Sequence, residues 1–158
     1  MNKYFKLIIS IGLCFLAGGL GTLFTISAIP NWYQYLNKPF FSPPNWLFGP
    51  VWSILYLLMG ISLFIIWNKN TKSILIKKHA LVLFGTQLFL NAIWTPIFFG
   101  LKNLPVALFV IIFMWYFIYQ TIKAFAKLDK TASYLLYPYL AWVSFATLLN
   151  LSVALLNR

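Results

Sequence analysis

Residues 32–52, WYQYLNKPFFSPPNWLFGPVW, join one apolar segment to the next and carry three Trp, two Tyr, three Phe and four Pro. A connector of this length is usually functional or disordered, and disordered segments are poor in aromatics. The stretch therefore reads as an ordered lid or wall of a binding site, and the rest of the chain as the scaffold that holds it. Pro43 and Pro44 push the residues before them away from helix, so the chain should reach the next segment stiff and extended. Asn45 can cap that helix, while Gly49-Pro50 offers a second start or a kink. Both remain open at this point.

Working outward, the chain has 158 residues, of which 62% are hydrophobic and only 8% charged. Soluble domains carry about a quarter charged residues, so the composition is that of a membrane protein. A membrane-spanning helix needs about 20 mostly apolar residues. Five segments qualify, at about 5–26, 45–67, 79–99, 104–125 and 132–156. The expectation is an all-α membrane protein, a single domain over 1–158 built as a five-helix bundle with an ordered loop between helices 1 and 2. MNKYFK before the first apolar run is similar to a secretory signal, but the run is longer than such signals use, so it is read as a retained helix 1. Ser10, Cys14 and Gly18 recur every four residues there, as do Ala17 and Gly21. Such rows let helices approach closely, within the bundle or across a homodimer. Pro96 and Pro138 should bend helices 3 and 5 locally.

Nine lysines fall on one side of this topology and Lys38, Lys102 and Arg158 on the other. In a bacterial plasma membrane the positive-inside rule then places the N-terminus in the cytoplasm and the C-terminus, with the aromatic connector, outside. The net charge of +11 is scattered between apolar segments, with no cluster suited to a phosphate backbone, so nucleic acid is not an expected partner.

One acid, Asp129, and one His, His79, leave no carboxylate pair, no nucleophile with a base and no metal-ligand cluster. No ionisable residue lies at mid-helix to mark an ion pathway. Neither metal nor cofactor is required. Uncharged polarity is present instead: Gln87, Asn91 and Trp94 in helix 3, and Asn150 two turns from Trp142 in helix 5. These groups can hydrogen-bond helices together, or orient a ligand in an apolar cavity.

Three blocks, WYQYLNKPFFSPPNWLFGPVWSILYLLMG, QLFLNAIWTPIFFG and LLYPYLAWVSFATLLN, closely resemble the translocator protein and tryptophan-rich sensory protein (TspO/MBR) family, known also for the peripheral benzodiazepine receptor. The resemblance is collinear from about Trp32 to Asn150. It implies a five-helix bundle, often a homodimer, with a pocket beneath the loop between helices 1 and 2. Family ligands include porphyrins such as protoporphyrin IX, sterols and synthetic drugs. Pocket positions of the family fall here on Trp52, Asn91, Trp94, Trp142, Phe145 and Ala146, with Trp32, Tyr33, Pro43, Pro44 and Trp46 closing or lining the top. Some bacterial members are proposed to degrade porphyrin in light, and the matching residues are Trp52 and Trp142. Leu151 stands where the sterol motif of animal members needs Tyr, and Ser42 and Asn45 stand where those members tend to carry His. The resulting expectation is a binding protein for a flat apolar ligand, a tetrapyrrole first, with light-dependent degradation or tetrapyrrole or sterol transport as alternatives. Lys38 and Lys102 are candidate partners for porphyrin propionates, or else solvated loop charges.

Overall fold

A computed structural model describes all residues, 1–158, and is helical throughout with no strand. Helix α1 spans Lys3–Asn31, α2 Asn45–Asn68, α3 Ile74–Thr95, α4 Leu104–Ala126, α5 Lys130–Tyr134 and α6 Tyr137–Leu156. Five spans are long and apolar enough to cross a bilayer, the last formed by α5 and α6 together. The spans close a ring: α1 lies against α2 and α3, α3 against α4, α4 against α5 and α6, and these return to α2. The chain is thus a multi-pass membrane protein.

Several helix ends lie beyond the apolar runs, for local reasons. Asn2 accepts the Tyr4 N–H at 3.0 Å and starts α1 two residues before Phe5. Helix α1 then continues through Pro30 in its last turn, where the proline removes one backbone donor. Helix α3 begins at Ile74 rather than near His79, because Lys77 reaches back to the carbonyls of Trp67 and Lys69 at 2.7 and 2.8 Å. That places a lysine inside the first turn while satisfying the end of α2.

The prolines act where bending was expected. Beyond Pro96 the helix widens into a π turn, Pro96–Gly100, closed by the Leu101 N–H on the Pro96 carbonyl at 2.9 Å. Lys102 then adopts a left-handed φ of 55°, unusual for a side-chain-bearing residue, and turns the chain into α4. Pro138 sits in the first turn of α6, and the fifth span breaks over Leu135 and Leu136. The break leaves the Ala132 carbonyl needing a donor, and Ser62 of α2 supplies it at 2.7 Å. Asn45 is the first residue of α2, which runs unbroken past Gly49-Pro50 without a side-chain cap.

The small residues of α1 are used inside the chain. Ser10, Cys14, Ala17 and Gly21 are buried. A Cβ on Gly18 would overlap the Tyr56 ring, one on Gly21 would lie 2.8 Å from Thr95, and one on Gly60 of α2 2.6 Å from the Ile11 backbone. Their absence lets α1 close on α2 and α3.

Asp129 joins α2 to the fifth span. Its Oδ1 accepts the Ala132 N–H at 3.1 Å, capping α5, and its Oδ2 meets Lys69 Nζ at 3.0 Å. The Ala132 N–H first, then Lys69, hold its carboxyl below the usual carboxylate range. A depressed acid stabilises the fold above its unfolded value, about pH 3.9, and that contribution is lost as pH falls through the folded value. Asp129→Ala should cost about 1 kcal/mol in detergent unfolding and Asp129→Asn, which still caps, clearly less. The difference between wild type and Asp129→Ala should shrink below about pH 4; a constant difference down to pH 2 would contradict this role.

Candidate functional site

Beneath the α1–α2 connector the bundle encloses a cavity of about 810 Å³, within the range of small-molecule sites. Helices α1, α2, α3 and α6 line it, together with the connector, and α4 contributes nothing. No lining side chain is charged. The hydroxyls of Thr22, Thr25 and Ser53 donate to carbonyls four residues back, at 3.1, 3.0 and 2.9 Å, which spends their protons within their own helices. The remaining surface is largely aromatic.

The floor is set by a buried chain of polar groups. Tyr56 donates to Asn91 Oδ1 at 2.7 Å, Asn91 Nδ2 to the Tyr139 hydroxyl at 2.9 Å, and Tyr139 to Gln87 Oε1 at 2.8 Å. All four side chains are buried, so α2, α3 and α6 are fastened at one depth. Trp52 lies on this platform, stacked on Tyr56 at 5.6 Å and edge-on to Tyr139 at 6.3 Å. A second lock fixes Trp94: its indole N–H donates to Asn150 Oδ1 at 3.1 Å, and Asn150 Nδ2 donates to the Leu104 carbonyl at 3.1 Å.

The π turn aims two further aromatics inward. Phe98 packs 5.0 Å from Trp94, and Phe98 and Phe99 both face Tyr33 and Trp32. Tyr33, only 1% exposed, begins a short 3₁₀ turn over Tyr33–Tyr35 and lines the cavity from above. Burial pushes its phenol above the ordinary value. Trp142 lines the opposite wall between Phe48 and Phe145, and its indole N–H is buried without a partner in the protein.

Two adjacent residues, Asn37 and Lys38, hold the first half of the cover. Lys38 Nζ donates to the carbonyls of Tyr33, Gln34 and Leu36 at 3.0, 3.2 and 3.3 Å and lies over the Tyr33 ring. Asn157, at the end of α6, accepts the Asn37 N–H at 2.9 Å and returns an N–H to the Asn37 carbonyl at 2.8 Å.

Of the residues singled out in the sequence, Tyr33, Trp46, Trp52, Trp94, Trp142 and Ala146 come together around the cavity. Asn91 lies under the floor, its amide fully engaged by two tyrosines. Trp32 backs Phe98 and Phe99, Phe145 wedges between Trp142 and Phe41, and Pro43 and Pro44 route the chain into α2. Lys38 and Lys102 are not in the lining: Lys38 is the internal clamp of the cover, and Lys102 Nζ rests 5.8 Å over the Trp32 ring. Sequence reasoning missed the wall formed by α1, including Phe15, Gly19 and Ile26, and the pair Phe98 and Phe99. The signal for the pair was Pro96, two residues before Phe98.

Five spans in a ring, with an uncharged and largely aromatic cavity between four of them beneath an ordered connector, define a multi-pass membrane protein with an internal pocket. The TspO/MBR family profile matches residues 10–156, and the chain belongs to that family. It is 43% identical to the tryptophan-rich protein TspO of Chlorobaculum tepidum over 99% of both chains. It is 39% identical to the tryptophan-rich sensory protein of Cereibacter sphaeroides, over 80% of this chain and 77% of that one. The human translocator protein shares 38% identity over 78% of this chain and 73% of its own.

The two hydrogen bonds between Asn157 and Asn37 should decide how firmly the cover sits. Asn157→Ala is expected to speed amide exchange over residues 33–44 by about tenfold, the equivalent of roughly 1.4 kcal/mol, and to leave α3 and α4 unchanged. Equal exchange in variant and wild type would show that the clamp does not hold the cover.

Proposed function

We propose that the chain is a membrane-embedded binding protein for a flat apolar ligand, a tetrapyrrole such as protoporphyrin IX, serving stress responses or porphyrin homeostasis. The reading rests on one observation: Trp52, Trp94, Trp142 and Phe98 wall a single uncharged cavity of about 810 Å³. Stacked or edge-on aromatics gain about 1 kcal/mol per pair beyond burial of area, which favours a planar ring over a flexible chain. The buried Trp142 N–H adds a directional requirement, because an unpaired donor is costly until a ligand offers an acceptor.

With no cation in the lining, the ring is held by packing and any carboxylates stay at the mouth. In the orientation given by the lysines the covered end of the cavity lies on the non-cytoplasmic side. A second reading, light-dependent degradation of porphyrin, is favoured by the presence of Trp52 and Trp142 in the same cavity. Only a defined product formed with turnover would distinguish that reading from bleaching of neighbouring indoles by a bound photosensitiser.

Tryptophan-fluorescence titration of the detergent-purified protein with protoporphyrin, cholesterol and an isoquinoline drug tests the proposal. Protoporphyrin should bind tightest, and Trp52→Ala and Trp142→Ala should each weaken it about tenfold or more, from lost stacking and lost area. The control Trp115→Phe, outside the cavity, should leave it unchanged. Unaltered affinity in both cavity variants, or tighter binding of cholesterol, would overturn the proposal.

A further inference from the structure

At the end of the bundle opposite the cover, α3 and α4 leave a second crevice of about 310 Å³. Leu75, His79 and Leu83 line it from α3, and Gln120, Lys123 and Lys127 from α4. Spacings of three and four residues keep each set on one helical face. At the outer end α4 carries the cations Lys123 and Lys127, α3 faces them with Leu75 and His79, and the floor reaches Leu83. The same two rows continue along the outside of the bundle as the exposed Val82 and Phe89 on α3 and Tyr116 and Phe113 on α4.

The charges in this crevice have no counterpart in the protein. The only carboxylate side chain in the sequence, Asp129, is taken by the Ala132 N–H and by Lys69. Lys123 Nζ rests 5.5 Å over the Tyr119 ring, and Lys127 and His79 are exposed. A basic rim above an apolar floor, at the end of two membrane-spanning helices, complements an anion that carries hydrocarbon with it. Basic recesses between spans take anionic lipid headgroups on this principle, each nearby lysine being worth about 1 kcal/mol.

We propose that this crevice is a binding site for an anionic phospholipid. Lys123 and Lys127 pair with its phosphate, His79 and Gln120 donate hydrogen bonds to the headgroup, and an acyl chain runs down the groove past Val82 and Tyr116. The site is separate from the ligand cavity and does not depend on what that cavity binds.

Native mass spectrometry of the full chain released from detergent, after incubation with equimolar phosphatidylglycerol and phosphatidylcholine, tests this. A single phosphatidylglycerol adduct should be retained in preference to phosphatidylcholine. Lys123→Gln with Lys127→Gln should weaken it about 30-fold, which is two lysines at about 1 kcal/mol each. Lys72→Gln with Lys78→Gln removes the same charge from the same end but outside the crevice and should leave the adduct intact. An equal loss in both double variants, or no preference over phosphatidylcholine, would overturn the proposal. Glycerol phosphate at millimolar concentration should not displace the lipid; if it does so completely, the site takes a free phosphate and the lipid assignment fails.

Discussion

Inside a bilayer no water is available to satisfy polar side chains, so every amide and hydroxyl placed there must find a partner within the protein. The chain Tyr56–Asn91–Tyr139–Gln87 meets that constraint at every link, leaving only the terminal Gln87 Nε2 without a partner, and thereby fixes three spans at a common depth. Interhelical hydrogen bonds of this kind contribute only about 0.6 kcal/mol each on average, so their main effect is on register. A slip of α2 or α6 by one turn would part the tyrosines from Asn91. Trp52, Trp94 and Trp142 project from α2, α3 and α6, so the same constraint places all three indoles around one space.

Above this floor, the connector becomes a cover through contacts of its backbone and its aromatic rings. Lys38 neutralises three converging carbonyls, Asn157 engages both backbone groups of Asn37, and Tyr33 drops into the aromatic cluster formed by Trp32, Phe98 and Phe99. The exposed rings of Tyr35, Phe40 and Trp46 lie on the outer surface of the same stretch, where aromatic residues favour the membrane interface. One strand of chain therefore serves as wall, clamp and interfacial anchor, which accounts for its unusual content of Trp, Tyr, Phe and Pro.

The five spans were legible because apolar runs of this length have no other stable use, and the order of the connector because disordered segments are poor in aromatics. Pro96 and Pro138 marked the two distortions, since a proline removes a donor wherever it falls. Other features depend on tertiary geometry that spacing does not carry. The interior role of Asn91 follows from tyrosines 35 and 48 residues away, and the clamp made by Lys38 from a 3₁₀ turn no local pattern announces. The α1 wall was hidden because Gly18 and Gly21 read as packing residues, which they are; the same closeness that packs α1 on Tyr56 and Thr95 brings neighbouring residues to the cavity. Ends such as Ile74 were misjudged where lysines interrupt hydropathy without interrupting the helix.

The central claim, that a planar ring enters the space between α1, α2, α3 and α6, is tested most directly by locating a paramagnetic porphyrin. Amide relaxation in the presence of manganese(III) protoporphyrin should broaden Gly19, Gly49, Ser53 and Phe98, all of which line the cavity, and spare α4, which does not. Broadening centred on α4, or on the lysine-rich end around Lys123, would contradict the account.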